Sequence, residues 1–535
     1  MITAAHTDIM AIIARTTAII QSLIQYNAVK SPARFSNATV LLFLIVISEA
    51  SVIDRREPGT SNVIAYKHPN TNTHVCSSPR AFQMTSYCGT NTSQICNQEI
   101  VLRNGTHAFD VWENPPPPVY MQFYFFNVTN PAEVLKGERP AVLEVGPYTY
   151  REFRPMERVN FLENGTKVSA VNTKTYVFQS DMSKGPESDL IRTVNIPAMT
   201  VMEKFKDTSV IANLISSYMK SVNEGLFTTH TVGELLWGYE DGLLKAMKVV
   251  DPTLDDVFGL FYKQNATDDG EYVFLTGQQS YKDFAVIDQW KGQSSLKWWT
   301  TDECNMINGT NGASFHPIIT KNETLYMFSS DLCRSIYAIY EEESSVMGVP
   351  GYRFSPPSKV FANTTENAGF CTPPGNCLGS GVLQVSACKQ DAPIVMSSPH
   401  FYQADEKFVK DIFGMKPNKE QHETIIDINP LTGIVLQAAK RLQVNVFVEK
   451  IPVFSQTGDI RTLVFPVLYL NESVVIDEVS AKQLQVIVAE GNIVVNIPFM
   501  LIGLGILLGV IFMVAQCRQR IPESSSAERQ PLLKS

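Results

Sequence analysis

The chain has 535 residues, 44% hydrophobic and 18% charged, enough to bury one large core or two ordinary ones, which excludes wholesale disorder. Its net charge of −9 excludes an extended nucleic-acid surface, because phosphate binding needs clustered Lys and Arg.

In chain order, residues 1–99 form an atypical N-terminal region. The apolar run 40–47 follows Lys30 and Arg34 and precedes Ser48-Glu49-Ala50, so the stretch around 38–50 reads as a signal or an anchor, and these residues leave both open. Between 100 and 491 the apolar segments are mostly short: 119–126, 175–178, 271–275, 325–328, 433–436, 444–449 and 463–470. Their β-branched and aromatic content, bounded by Gly, Pro and Asn, predicts antiparallel strands in a barrel or sandwich. Helical periodicity is confined to about 200–250. Ile211, Leu214, Ile215, Tyr218, Met219 and Val222 recur at three and four residues, and Leu235, Leu236, Tyr239, Leu243 and Met247 follow a similar rhythm. Such a helical pair either packs onto the strands or projects and binds a partner.

Residues 497–515 are nineteen positions without a charge, about 28 Å as a helix, and are predicted to span the membrane. Arg518 and Arg520 follow at once, which places the tail 516–535 in the cytosol and the preceding chain in the lumen. In that tail, Glu528-Arg529-Gln530-Pro531-Leu532-Leu533 fits an acidic dileucine sorting signal, read by clathrin adaptor complexes through Glu528, Leu532 and Leu533.

Lumenal exposure is also written in the sequons Asn37, Asn91, Asn104, Asn127, Asn164, Asn265, Asn308, Asn322, Asn363 and Asn471, ten where average composition gives roughly three. Cys304, Cys333, Cys371, Cys377 and Cys388 lie inside this segment and Cys76, Cys88 and Cys96 precede it, so in an oxidising lumen most should pair, with at least one of the central five free or joined to the N-terminal three. No G-x-S-x-G elbow, H-E-x-x-H pair, Walker loop or dinucleotide fingerprint is present. His422-Glu423 opens like a zincin motif, but Ile426 stands where the second His belongs. The composition therefore predicts no enzyme, no catalytic or metal residues and no cofactor.

From residue 100 onward the chain resembles the class B scavenger receptor family. The resemblance rests on Val101-Leu102-Arg103-Asn104-Gly105-Thr106, Tyr124-Phe125-Phe126-Asn127-Val128-Thr129-Asn130-Pro131, Glu144-Val145-Gly146-Pro147-Tyr148-Thr149-Tyr150, Gly375-Asn376-Cys377-Leu378-Gly379-Ser380-Gly381, His400-Phe401-Tyr402-Gln403-Ala404-Asp405 and Asp427-Ile428-Asn429-Pro430-Leu431-Thr432-Gly433. The lysosomal branch is the most similar, through His230-Thr231-Val232-Gly233-Glu234-Leu235-Leu236-Trp237-Gly238-Tyr239 and Cys304-Asn305-Met306-Ile307-Asn308-Gly309-Thr310. The family's usual short cytosolic N-terminus and first membrane helix are not evident before residue 100.

The resemblance implies an α+β fold: a large lumenal antiparallel β-barrel with an apolar tunnel and a helical apex, plus the C-terminal transmembrane helix. It implies a glycoprotein of the lysosome and late-endosome membrane that carries lysosomal β-glucocerebrosidase on its apex, through Ile211, Leu214, Ile215, Tyr218 and Met219, or alternatively binds or transfers sterol or phospholipid through the tunnel. It also implies disulfides Cys333–Cys388 and Cys371–Cys377, with Cys304 unpaired. Release of cargo in an acidic compartment needs a titrating group near the apex, and His230 is the nearest histidine. Thr231 and Glu234 make a capping box, so a proton on His230 would face the positive end of a helix dipole, which lowers its pKa unless Glu234 compensates.

Overall fold

The computed structural model describes residues 101–519 apart from 250, 251, 253 and 372. The possible signal or anchor, Asn37, Asn91, the three N-terminal cysteines and the sorting residues Glu528, Leu532 and Leu533 lie outside the described residues.

The first strands are β1 (Val119–Val128), β2 (Val142–Phe153), β3 (Met156–Leu162) and β4 (Lys167–Phe178). Two small pairs follow, β5 (Leu190–Val194) with β6 (Phe227–Thr231) and β7 (Tyr239–Glu240) with β8 (Val257–Phe258). Then come β9 (Thr267–Leu275), β10 (Ile287–Trp290), β11 (Thr324–Ser329), β12 (Arg334–Val346), β13 (Val349–Ser355), β14 (Val382–Gln384) and β15 (Ile394–Ser397). The last are β16 (Ile425–Ile428), β17 (Val435–Val448) and β18 (Leu463–Val475). Several are far longer than the short segments expected from sequence. Their outer ends carry polar residues in alternation with buried ones, which hides them from a search for apolar runs.

One antiparallel sheet runs β10-β9-β4-β2-β1-β18-β17-β16-β13-β12-β11, with β3 on β4 and the β14–β15 hairpin on β17. Its centre is the β1–β18–β17 ribbon, where Met121, Phe123 and Phe125 alternate inward from β1 and β18 is buried along most of its length. The two edges are stitched together by the segment at Gly309-Thr310. Ile287 N of β10 donates to Gly309 O at 2.8 Å, while Thr310 N donates to Tyr326 O at 3.2 Å and Phe328 N of β11 to Thr310 O at 2.8 Å. The sheet is thereby almost closed into a barrel, which removes its edges. Gly309 is required at this closure, because it has φ +81° and a Cβ there would meet Tyr326 O at 1.8 Å.

Helices, here called the crown, cluster between β5 and β8. Ile196–Phe205 is capped by Asn195, whose side chain accepts from Ala198 N, and it buries Ile196, Ala198, Met199, Val201 and Met202. Ser209–Ser221 lies next to it. The rhythm expected across Leu235 to Met247 is broken into two helices, Val232–Trp237 and Gly242–Met247. Gly238 takes φ +126° between them and Tyr239 turns into β7, so local backbone geometry overrides the apolar spacing.

The chain leaves the barrel in one helix, Glu478–Gln519, of 42 residues. Asp477 Oδ1 accepts from Val479 N and Ser480 N at its start, and Ala481, Leu484 and Val488 pack on Val346, Val349 and Leu436. Among the described residues no helix is long and apolar enough to cross a membrane.

Candidate functional site at the barrel crown and interior

In Ser209–Ser221, Ala212, Ile215, Ser216 and Met219 face the barrel, and Ser216 Oγ and O bond Gln456 Oε1 and Nε2 at 3.0 and 2.8 Å. The opposite side is also apolar. Val210 is 84% exposed, Leu214 72%, Ile211 40% and Tyr218 37%, and Val222 continues the stripe. At 100° per residue the apolar positions cover an arc of about 200°, twice the stripe of about 100° that a core-facing helix needs. The expectation for Ile215 and Met219 is therefore corrected: at 6% and 0% exposure they are core residues and cannot touch a partner. Ile211, Leu214 and Tyr218 form the accessible face. Tyr218 OH donates to Gly242 O at 3.3 Å, which ties that face to the start of the helix Gly242–Met247.

His230 lies in β6 opposite Ile191, its ring stacked on Tyr239 at 3.7 Å between centroids and Nδ1 3.6 Å from Glu234 Oε2. The capping box forms: Glu234 N donates to Thr231 Oγ1 at 3.2 Å and Thr231 N to Glu234 Oε2 at 2.9 Å. Burial lowers the His230 pKa, and the charges of Glu234 and Asp241 oppose this only in part. The direction matches the sequence reading, but desolvation is the leading cause, not the helix dipole. Asp241 caps Gly242–Met247 through Leu244 N at 2.8 Å, and burial raises both it and nearby Glu224.

The barrel encloses a cavity of about 290 Å³, mostly apolar, with Trp112, Tyr272, Phe284 and Phe328 in its walls. Where a wholly apolar tunnel is expected, the wall also carries a charged cluster. Lys440 Nζ donates to Asp331 Oδ2 at 2.6 Å and to Glu472 Oε2 at 3.3 Å, and Arg154 pairs with Glu472. Lys440 and Asp331 lie deep in the fold yet keep 37% and 33% of their side-chain surface open, and that surface faces the cavity. Lys440, and beyond it Lys174, hold the Asp331 carboxyl far below the carboxylate range. Burial, then the charge of Glu472, push Glu152 upward, and both its oxygens are buried without a partner.

The structure also joins histidines that look scattered in the sequence. His400 and His422 stack at 4.4 Å, His400 Nε2 meets Glu144 Oε2 at 2.6 Å, and each Nδ1 accepts a backbone N–H, from Lys416 and Asn418. Burial and the neighbouring His400 lower His422 to about 4. Nothing in their spacing signals the pair, because the short helix Glu406–Lys410 and its flanking turns separate two residues that meet only in the folded chain.

Disulfides join Cys333 to Cys388 and Cys371 to Cys377, and Cys304 is a buried free thiol. Of the candidate glycosylation sites, Asn104, Asn164, Asn265, Asn322 and Asn363 are exposed. Asn127, Asn308 and Asn471 are half-buried, and Asn471 Nδ2 donates to Gln122 Oε1 at 2.9 Å.

Residues 81–516 match the CD36 family, and the chain belongs to this family of class B scavenger receptors. It is 55% identical to human (Homo sapiens) lysosome membrane protein 2 over 444 residues, covering 82% of this chain and 93% of the relative, and 54% identical to the rat (Rattus norvegicus) protein with the same coverage. It is 37% identical to pig (Sus scrofa) scavenger receptor class B member 1 over 373 residues, 68% of this chain and 72% of the relative. The chain is a lysosomal membrane protein of the family, with a receptor or lipid-binding role.

Proposed function

We propose that the protein is a non-enzymatic receptor whose crown helix captures lysosomal β-glucocerebrosidase and carries it to lysosomes. The observation behind this reading is the second apolar face of Ser209–Ser221, left open on a helix whose inner face already anchors it. In this reading 100–491 is the lumenal domain, 497–515 spans the membrane and 516–535 is cytosolic. Ile502, Leu504, Leu507 and Leu508 are exposed apolar residues suited to lipid. Leu214→Asp is expected to leave folding and secretion intact and to weaken enzyme pull-down at least ~10-fold, as loss of an apolar anchor does. Ile215→Asp should instead unfold the crown. Loss of binding only in variants that misfold would reject the site.

Delivery requires the tail. Leu532→Ala with Leu533→Ala is expected to move the protein from lysosomes to the cell surface, scored by surface biotinylation. An unchanged distribution would show that Glu528, Leu532 and Leu533 are not the signal.

Release is assigned to His230. Glu234 and Asp241 act on it, its ring stacks on Tyr239, and Glu224 lies beyond against Tyr239. Because its folded pKa is depressed, its contribution to crown stability is full above the unfolded value of about 6.5 and is lost as pH falls through that value. Cargo affinity should therefore fall between neutral and acidic pH, and His230→Gln should flatten the fall. An identical pH dependence in the variant would assign the switch elsewhere.

The second reading, sterol or phospholipid binding, is favoured by the 290 Å³ cavity, near the lower end of ligand-pocket volumes. Lipid uptake by purified protein, with enzyme capture measured in parallel, separates the two.

A further inference from the structure

Away from the crown and the central cavity, one buried cation among the described residues stands without a counter-charge. Arg334 opens β12, is 5% exposed, and holds its guanidinium carbon 3.5 Å from the centroid of the Phe370 ring. Nε donates to Ser335 O and Nη1 to Val360 O, both at 3.2 Å, which uses two of the five guanidinium N–H groups. Its electrostatic neighbours among the described residues are the Cys304 thiol and the Tyr337 hydroxyl, and no carboxylate is among them. Burial pushes Arg334 down to about 10, so it remains a cation at any physiological pH. An ion so placed is costly unless something of opposite charge comes with it.

Arg334 borders a second, smaller cavity of about 30 Å³, and among the described residues no other charged one lines it. The rest of the lining is apolar or amide, with Val360, Phe370 and Leu383 on one part and Asn363, Asn376 and Gln384 on another. The space holds about two water molecules, or one small ion with a water beside it.

We infer that this cavity binds a single small monovalent anion of the halide class, with the Arg334 guanidinium as its principal ligand. A halide supplies the missing charge in the space available and accepts the unused guanidinium N–H groups, where water alone fills the space but leaves the charge unbalanced. The cavity is bordered by Cys371 and Cys377, so the ion would clamp the stapled loop onto β12.

The test uses the full-length protein in detergent, with thermal unfolding followed in sodium chloride, sodium bromide and sodium gluconate at equal ionic strength. Wild type is expected to melt higher in chloride and bromide than in gluconate, and Arg334→Met to melt alike in all three. Crystals soaked in bromide should show an anomalous peak in hydrogen-bonding reach of the guanidinium, an observation on wild type that decides the matter even if the variant does not fold. Equal wild-type melting in all three salts, a halide effect that persists in Arg334→Met, or no bromide peak at Arg334 overturns the inference. So does thiolate ultraviolet absorbance at neutral pH that disappears in Cys304→Ser, which would make the thiol the counter-charge.

Discussion

Cys333→Ser combined with Cys388→Ser is expected to lower the unfolding free energy of the barrel by about 4 kcal/mol at 25 °C, read by denaturant titration with and without the disulfide. The bridge closes a loop of 55 residues, and removing it returns that loop's entropy to the unfolded chain. The loop contains β12, β13 and β14 and so includes much of one side of the sheet. The companion bridge, Cys371–Cys377, spans only 6 residues and by the same loop-length argument is worth about 2 kcal/mol. The ordering is the sharper test. Equal losses from the two double variants would show that native contacts, not loop closure, carry the effect. With typical stabilities of about 5–15 kcal/mol, the larger loss should also reduce export to lysosomes, since much more of the chain would be unfolded at any moment.

Asp427→Ala should cost about 3 kcal/mol or more, through a different mechanism. Arg353 and Asp427 sit directly opposite each other on β13 and β16. Arg353 Nε donates to Asp427 Oδ1 and Nη2 to Oδ2, each at 2.8 Å, and the Asp427 side chain is only 1% exposed. Removing the carboxylate strands a guanidinium at a site shaped for a bidentate pair. Glu342 at 2.9 Å and the 26% exposure of Arg353 offset part of that cost, which places the expected loss at the lower end for broken buried pairs. Arg353→Met with Asp427→Leu should be less damaging than Asp427→Ala alone, because no charge is then left unpaired. A double variant as unstable as the sum of the two single variants would contradict this account.

Much of the architecture is legible in the residues themselves. Short-range rules determine the strands, since β-branched and aromatic runs such as those in β1 and β18 have few alternatives. They determine the crown helix through its spacing of three and four, and the helix start at Thr231 through the reciprocal bonds of Thr and Glu. The sequons and the resemblance to class B scavenger receptors are likewise local patterns.

Only the tertiary structure decided which part of an apolar arc of about 200° is core. Periodicity gives the phase of a helix, not the direction of its neighbours, so Ile215 and Met219 are indistinguishable from Leu214 and Tyr218 until the barrel and Gln456 are in place. The closure at Gly309, the stacked His400 and His422, the charged cluster around Lys440 and the unpaired Arg334 are of the same kind. Each joins residues far apart in the chain, and the energy that fixes them, desolvation and charge balance in a shared interior, exists only once the sheet has curled on itself.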